Sequence, residues 1–79
     1  MKVQVLFFGA TAEAVGEREI EIDLAEKTKA GNAFAQIVER FPQLSAHKLL
    51  FAVNQEYLSD DTVLQNNDEL AIFTAVSGG

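Results

Sequence analysis

Apolar and polar positions alternate almost from the first residue. Over Lys2-Val3-Gln4-Val5-Leu6-Phe7-Phe8 the odd positions Val3, Val5 and Phe7 make an unbroken apolar row. Period two with bulky side chains predicts a strand resting one face on a core. Gly9 interrupts it, and Ala10 to Val15 predict one or two helical turns that end at Gly16. Arg18-Glu19-Ile20-Glu21-Ile22-Asp23-Leu24 then alternates without a fault, apolar at 20, 22 and 24. That is the pattern of a half-exposed antiparallel strand, paired with the first as a hairpin.

The period then lengthens. Ala30, Ala33, Phe34, Ile37, Val38 and Phe41 recur at helical spacing, a stripe wide enough to cover one sheet face. Thr28 is placed to cap this helix, Gly31 and Asn32 weaken its first turn, and Pro42 stops it. Leu49-Leu50-Phe51-Ala52-Val53 reads as a short buried strand. Asn54-Gln55-Glu56 reads as a turn into a brief Tyr57-Leu58 segment, and Glu69-Leu70-Ala71-Ile72-Phe73 as the last strand. Ser59-Asp60-Asp61 and Asn66-Asn67-Asp68 carry turn chemistry. The order ββαβ(β)β implies an α+β domain, a mixed sheet packed on one main amphipathic helix. This is the β-grasp, or ubiquitin-like, arrangement; a ferredoxin-like fold would need a second long amphipathic helix. The expected division is a domain over residues 1–73 and a tail over residues 74–79.

Composition narrows the possibilities. A chain of 79 residues holds one small domain, and with no cysteine it has neither disulfides nor thiolate metal sites to staple it. Its stability must come from apolar packing, which 48% hydrophobic and 23% charged residues allow. Twelve acidic against six basic residues give a formal charge of −6. Such a surface repels phosphate backbones, so nucleic acid and anionic membranes are poor partners and a basic protein surface is a good one. No stretch approaches the roughly 20 apolar residues of a membrane span. The opening residues carry no signal-peptide pattern, and the expected location is the cytoplasm.

Catalytic chemistry is hard to assemble from this inventory. Without cysteine, and with His47 as the one histidine, cysteine–histidine catalysis is impossible. A serine triad would have to recruit a histidine that stands in the polar stretch Ser45-Ala46-His47-Lys48. Asp60 and Asp61 are adjacent carboxylates whose simplest role is turn geometry. No Gly-rich phosphate loop, HExxH or calcium-loop spacing occurs, so no metal or cofactor is expected on this chain and it is not expected to be an enzyme alone. What remains is Thr74-Ala75-Val76-Ser77-Gly78-Gly79. With Gly near 7% of average usage, two glycines there arise by chance in roughly 0.5% of chains. Gly79 would present an α-carboxylate with no side chain beside it, and Gly78 passes through conformations other residues resist. Six extended residues reach at most about 20 Å, enough to enter another protein's active site while the domain stays on its surface.

Several stretches together resemble the sulfur-carrier small subunits of molybdopterin synthase. They are Val5-Leu6-Phe7-Phe8-Gly9-Ala10 with Glu13 and Val15-Gly16, Ala52-Val53-Asn54-Gln55, Asp68-Glu69-Leu70-Ala71-Ile72-Phe73 and Val76-Ser77-Gly78-Gly79. The resemblance implies that an adenylating enzyme of the ubiquitin-activating type, using ATP, converts the Gly79 carboxylate to an acyl-adenylate. A sulfurtransferase then makes a C-terminal thiocarboxylate, and Val76, Ser77 and Gly78 thread the tail into the large subunit. There the sulfur goes to a cyclic pyranopterin monophosphate to build the dithiolene, in an assembly of two small and two large subunits. Three departures stand out. Thr74 and Ala75 replace two common prolines, which predicts a looser tail by about 0.4–1 kcal/mol per position. The helix's first turn is less apolar than usual, and Ala12 stands where an arginine is common. Other functions with the same tail are sulfur delivery for the thiamine thiazole ring and protein modification through Gly79. An interaction module with an inert tail is a further alternative.

The strand pattern also predicts a docking face. With Val3, Val5 and Phe7 inward, Lys2, Gln4, Leu6 and Phe8 point to the opposite side of the sheet. Leu70 and Ile72 inward turn Glu69, Ala71 and Phe73 outward. Phe8 and Phe73, joined by Tyr57 beside its turn, are the expected partner interface.

Overall fold

The computed structural model describes residues 1–56 and 59–75. The expected Tyr57-Leu58 segment and the tail residues Val76, Ser77, Gly78 and Gly79 lie outside the described residues. Among the described residues seven elements follow one another: β1 (Lys2–Phe7), α1 (Ala10–Val15), β2 (Glu19–Asp23), α2 (Ala30–Arg40), a 3-10 helix (Pro42–Ala46), β3 (Leu49–Val53) and β4 (Glu69–Thr74). The strands form one mixed sheet in the order β2-β1-β4-β3. β1 and β2 make the expected antiparallel hairpin, with Val3 opposite Ile22 and Val5 opposite Ile20. β4 runs parallel to β1, Val5 beside Leu70 and Phe7 beside Ile72, and antiparallel to β3. The chain's first and last strands are therefore neighbours at the centre of the sheet.

The alternation has the physical meaning expected of it. Val3, Val5, Leu70 and Ile72 are fully buried, Phe7 almost so, and they pack with Ala30, Ala33 and Ile37 from α2. Phe34 and Phe41 complete the stripe by ring contacts, Phe34 on Phe51 and Phe41 edge-on to Phe7. The favoured aromatic geometries add to the area they bury. The result is the β-grasp arrangement, a sheet with one face covered by one main helix.

Two local expectations are corrected and a third gains a detail. Thr28 does not cap α2: its hydroxyl donates to Ala25 O at 2.6 Å, and the residue before the helix is Lys29, with no side-chain cap. The exposed N–H groups of the first turn are met instead by backbone far along the chain. Ala30 N donates to Thr62 O at 2.7 Å and Gly31 N to Asp60 O at 3.0 Å. A Cβ on Gly31 would lie 2.9 Å from Asp60 Cβ, so glycine, weak in a helix, is what lets this loop close on the helix end. Second, β3 is not buried throughout. It is an edge strand, and Leu50 is 43% exposed while Val53 is covered. Pro42 stops α2 as expected, and it also begins a 3-10 helix, whose Leu44 is fully buried.

Candidate functional site

The outer face of the sheet is divided into two halves by its strand order. On β2 every outward position is acidic: Glu19, Glu21 and Asp23 are all exposed. Lys2 and Gln4 on β1 answer only Glu21, through an ion pair of 3.3 Å and a hydrogen bond of 2.8 Å. Toward β3 the character changes. Leu6 stands beside Ala71, and Ala71 opposite Ala52. One step on, Leu50 pairs with Phe73, and Phe8 follows β1 at the matching level, its N–H donating to Ile72 O at 3.1 Å. Phe8, Phe73 and Leu50 thus form an apolar row across three strands, at the end of the sheet where β4 leaves it. Phe8 is 51% exposed, and Phe73 is half-buried with contacts of its own.

Two of the three expected interface residues are therefore brought together, and the third, Tyr57, lies outside the described residues. Leu50 belongs to the row but was not foreseen; its signal was the pairing of β3 with β4, which puts residue 50 on the same side as residue 73. Gly78 and Gly79, with Val76 and Ser77, also lie outside the described residues. Their nearest described neighbour is Ala75, directly after β4.

The row is held from beneath by a buried hydroxyl. Thr11 is fully covered. Its Oγ1 lies 2.7 Å from Phe8 O and 2.9 Å from Ile72 O, able to donate to either, and it accepts from Phe8 N at 3.0 Å. One side chain thereby ties the end of β1, the start of α1 and β4 together. Gly9 makes the turn between β1 and α1 with φ +58° and ψ −127°, a conformation that side chains other than hydrogen resist. Beside Phe8, a groove of about 720 Å³ opens between α1 and the ends of β1 and β2. Its rim carries Glu13, Glu17 and Glu19 with Arg18, which suits a basic neighbour.

Elsewhere the candidate polar residues serve the fold. His47 is exposed and closes the 3-10 helix, its N–H donating to Leu44 O at 3.1 Å. Asp61 N donates to Ser59 Oγ at 3.2 Å and its carboxylate lies 3.7 Å from Lys29 Nζ. Asn54, at φ +50° in a two-residue turn, binds β4 at its start. Its amide accepts from Glu69 N at 3.0 Å and donates to Asp68 Oδ1 at 2.9 Å. That gives the Ala52-Val53-Asn54-Gln55 stretch a structural purpose. Among the described residues no three histidine or acidic side chains converge as metal ligands, and no helix is long and apolar enough to cross a membrane.

Comparison with known proteins follows the same geometry. The model of the ThiS family matches residues 5–79. The molybdopterin synthase sulfur carrier subunit of Mycobacterium tuberculosis is 40% identical, over 100% of this chain and 99% of its own length. Its human counterpart is 39% identical over 99% of this chain and 94% of its own. Among solved structures, SAMP1 from Haloferax volcanii superposes with a TM-score of 0.87 at 26% identity, both chains being covered in full.

Proposed function

The chain belongs to the ThiS family, and from that premise we propose that it is the sulfur carrier subunit of molybdopterin synthase, working through the carboxylate of Gly79. A free carboxylate at neutral pH is anionic and resists nucleophiles, so it must first be activated. An adenylating enzyme supplies AMP from ATP as the leaving group. A sulfurtransferase then delivers sulfur whose new C–S bond displaces AMP; from a persulfide donor a thiol must then reduce the S–S bond, and a thiocarboxylate remains. The tail carries that sulfur into the large subunit, which holds the pyranopterin and the acid–base groups for dithiolene formation. This chain supplies the cargo and the docking face, in the cytoplasm, in an assembly of two copies of each subunit.

The observation that carries the reading is the position of the apolar row. Phe8, Phe73 and Leu50 stand where β4 leaves the sheet toward Gly78-Gly79, so one partner can grip the domain and receive the tail together. Exposed Phe8 and Leu50 beside the partly covered Phe73 and the tail root suit a partner site, with the rings as its strongest anchors. The experiment is co-expression with the adenylating enzyme and sulfurtransferase of the same organism, followed by intact mass. One oxygen replaced by sulfur at Gly79 is the expected result. Deleting Gly79, or extending the chain past it, should abolish transfer and leave thermal unfolding unchanged. Dithiolene formation by an untrimmed extended chain would overturn the reading, as would turnover of the precursor by this chain alone.

The likeness to SAMP1, a small archaeal modifier protein, favours a second reading, isopeptide linkage of Gly79 to lysines of other proteins. The same co-expression separates the two, because a modifier appears as covalent adducts of higher mass.

A further inference from the structure

Resting on that reading of Gly79, we propose that Ala75 is a positioning residue, whose backbone N–H latches the root of the tail to the carbonyl of Lys48. Ala75 N lies 2.9 Å from Lys48 O. The contact is the next rung of the β3–β4 ladder: Leu50 pairs with Phe73 and Leu49 with Thr74, so the register brings residue 48 to residue 75. The acceptor has a firm mount. Lys48 joins β3 to the 3-10 helix, which is pinned by the fully buried Leu44 and closed by His47 N–H on Leu44 O.

The rung revises what the sequence implied about this segment. Without the two prolines a looser root was expected, yet Ala75 has the N–H that proline lacks, and that hydrogen restrains the chain one residue beyond the strand. Position 74 is different. Hydrogen-bonded pairs alternate with non-bonded ones in an antiparallel ladder, so the Thr74 N–H points away from β3. The two positions are therefore not equivalent: a proline at 74 takes nothing from the β3 ladder, and one at 75 removes its last rung.

The consequence for transfer follows from reach. From a pivot at Ala75, four residues extend at most about 14 Å; released back to Phe73, six extend about 21 Å. The volume open to the Gly79 carboxylate then grows roughly threefold, and its effective concentration at the partner's channel falls. The latch acts before chemistry, on entry of the tail, and not on the reactivity of the acyl carbon.

The test removes one hydrogen atom's worth of bonding. Because the chain has no cysteine, residues 71–79 can be synthesised with cysteine at 71, ligated to 1–70, and desulfurised to restore Ala71. The synthetic piece carries an ester in place of the Thr74–Ala75 amide. With the large subunit and the pyranopterin precursor, the thiocarboxylated ester protein should show a KM raised about 3- to 10-fold, the range one hydrogen bond covers, with kcat unchanged. Thr74→Pro should keep the parental KM. In the parent, the Ala75 amide should exchange with solvent more slowly than in the free peptide. An ester protein with parental KM, or an unprotected Ala75 amide, overturns the latch. A parent that transfers no sulfur but protects Ala75 overturns the functional reading and leaves the latch standing.

Discussion

The two faces of this sheet are built from the same strands and meet opposite surroundings. Inward, Val5, Phe7, Leu70 and Ile72 are all but closed to solvent; outward, Leu6, Phe8, Ala71 and Phe73 alternate with them one residue apart. A core position pays for the fold through transfer of its methyl groups out of water. An outward aromatic such as Phe8, 51% exposed, adds less to the fold. A core row and an outward apolar row are thus encoded in one strand at period two, and neighbouring substitutions should separate stability from the proposed partner binding.

The largest effect is expected inside. Ile72→Ala should lower the stability of the isolated domain by about 2–5 kcal/mol, read by urea unfolding, with affinity for the large subunit unchanged once the folded fraction is corrected for. If affinity of the folded fraction falls as well, the division between faces fails. One residue on, Phe73→Asp should weaken large-subunit binding by about 2 kcal/mol or more while the domain still unfolds cooperatively. Calorimetry measures both, and undiminished binding would mean that the partner seats elsewhere.

Thr11 links the faces, because it is buried yet holds the backbone of Phe8. Thr11→Val keeps the shape and removes the hydroxyl, so stability should fall by about 1–3 kcal/mol, with extra amide exchange at Phe8. The smallest effect is expected at the seam of α2. In Gly31→Ala, crowding against Asp60 costs about 1–3 kcal/mol, and the helix gains about 1 kcal/mol from losing glycine. A net loss near 1 kcal/mol is the expectation, and a gain would show that the 59–62 loop yields freely.

Periodicity made the inner face legible. β1, β2 and α2 follow from spacing alone, because every second or every third-to-fourth side chain must leave water. What escaped was set by distant chain. Leu50 sits in an unbroken apolar run, and only the position of β3 at the sheet edge exposes it. Thr28 has capping chemistry, yet the backbone of Asp60 and Thr62 already meets the helix end. Leu44 lies among polar neighbours, so no period marks the 3-10 helix. Thr11 carries no signal within its short helix, and its burial follows only once β4 brings Ile72 O within reach of its hydroxyl. Of the outward apolar row, Phe8 and Phe73 follow from alternation, and Leu50 needs the register.

The parallel pairing of β1 with β4 also bears on how the molecule is made. A ribosome releases β1, β2, α2 and β3 before β4, the strand that belongs between β1 and β3. Until β4 emerges, two inner strand edges stay open and the core lacks Leu70 and Ile72. Long-range parallel pairing is slow to form and leaves such edges open to aggregation. A nascent chain stopped before Glu69 therefore lacks the strand that joins β1 to β3 and cannot complete this sheet. Folding is thereby tied to the completion of β4: a copy whose sheet has closed already carries Leu70 and Ile72, the last residues to enter the core.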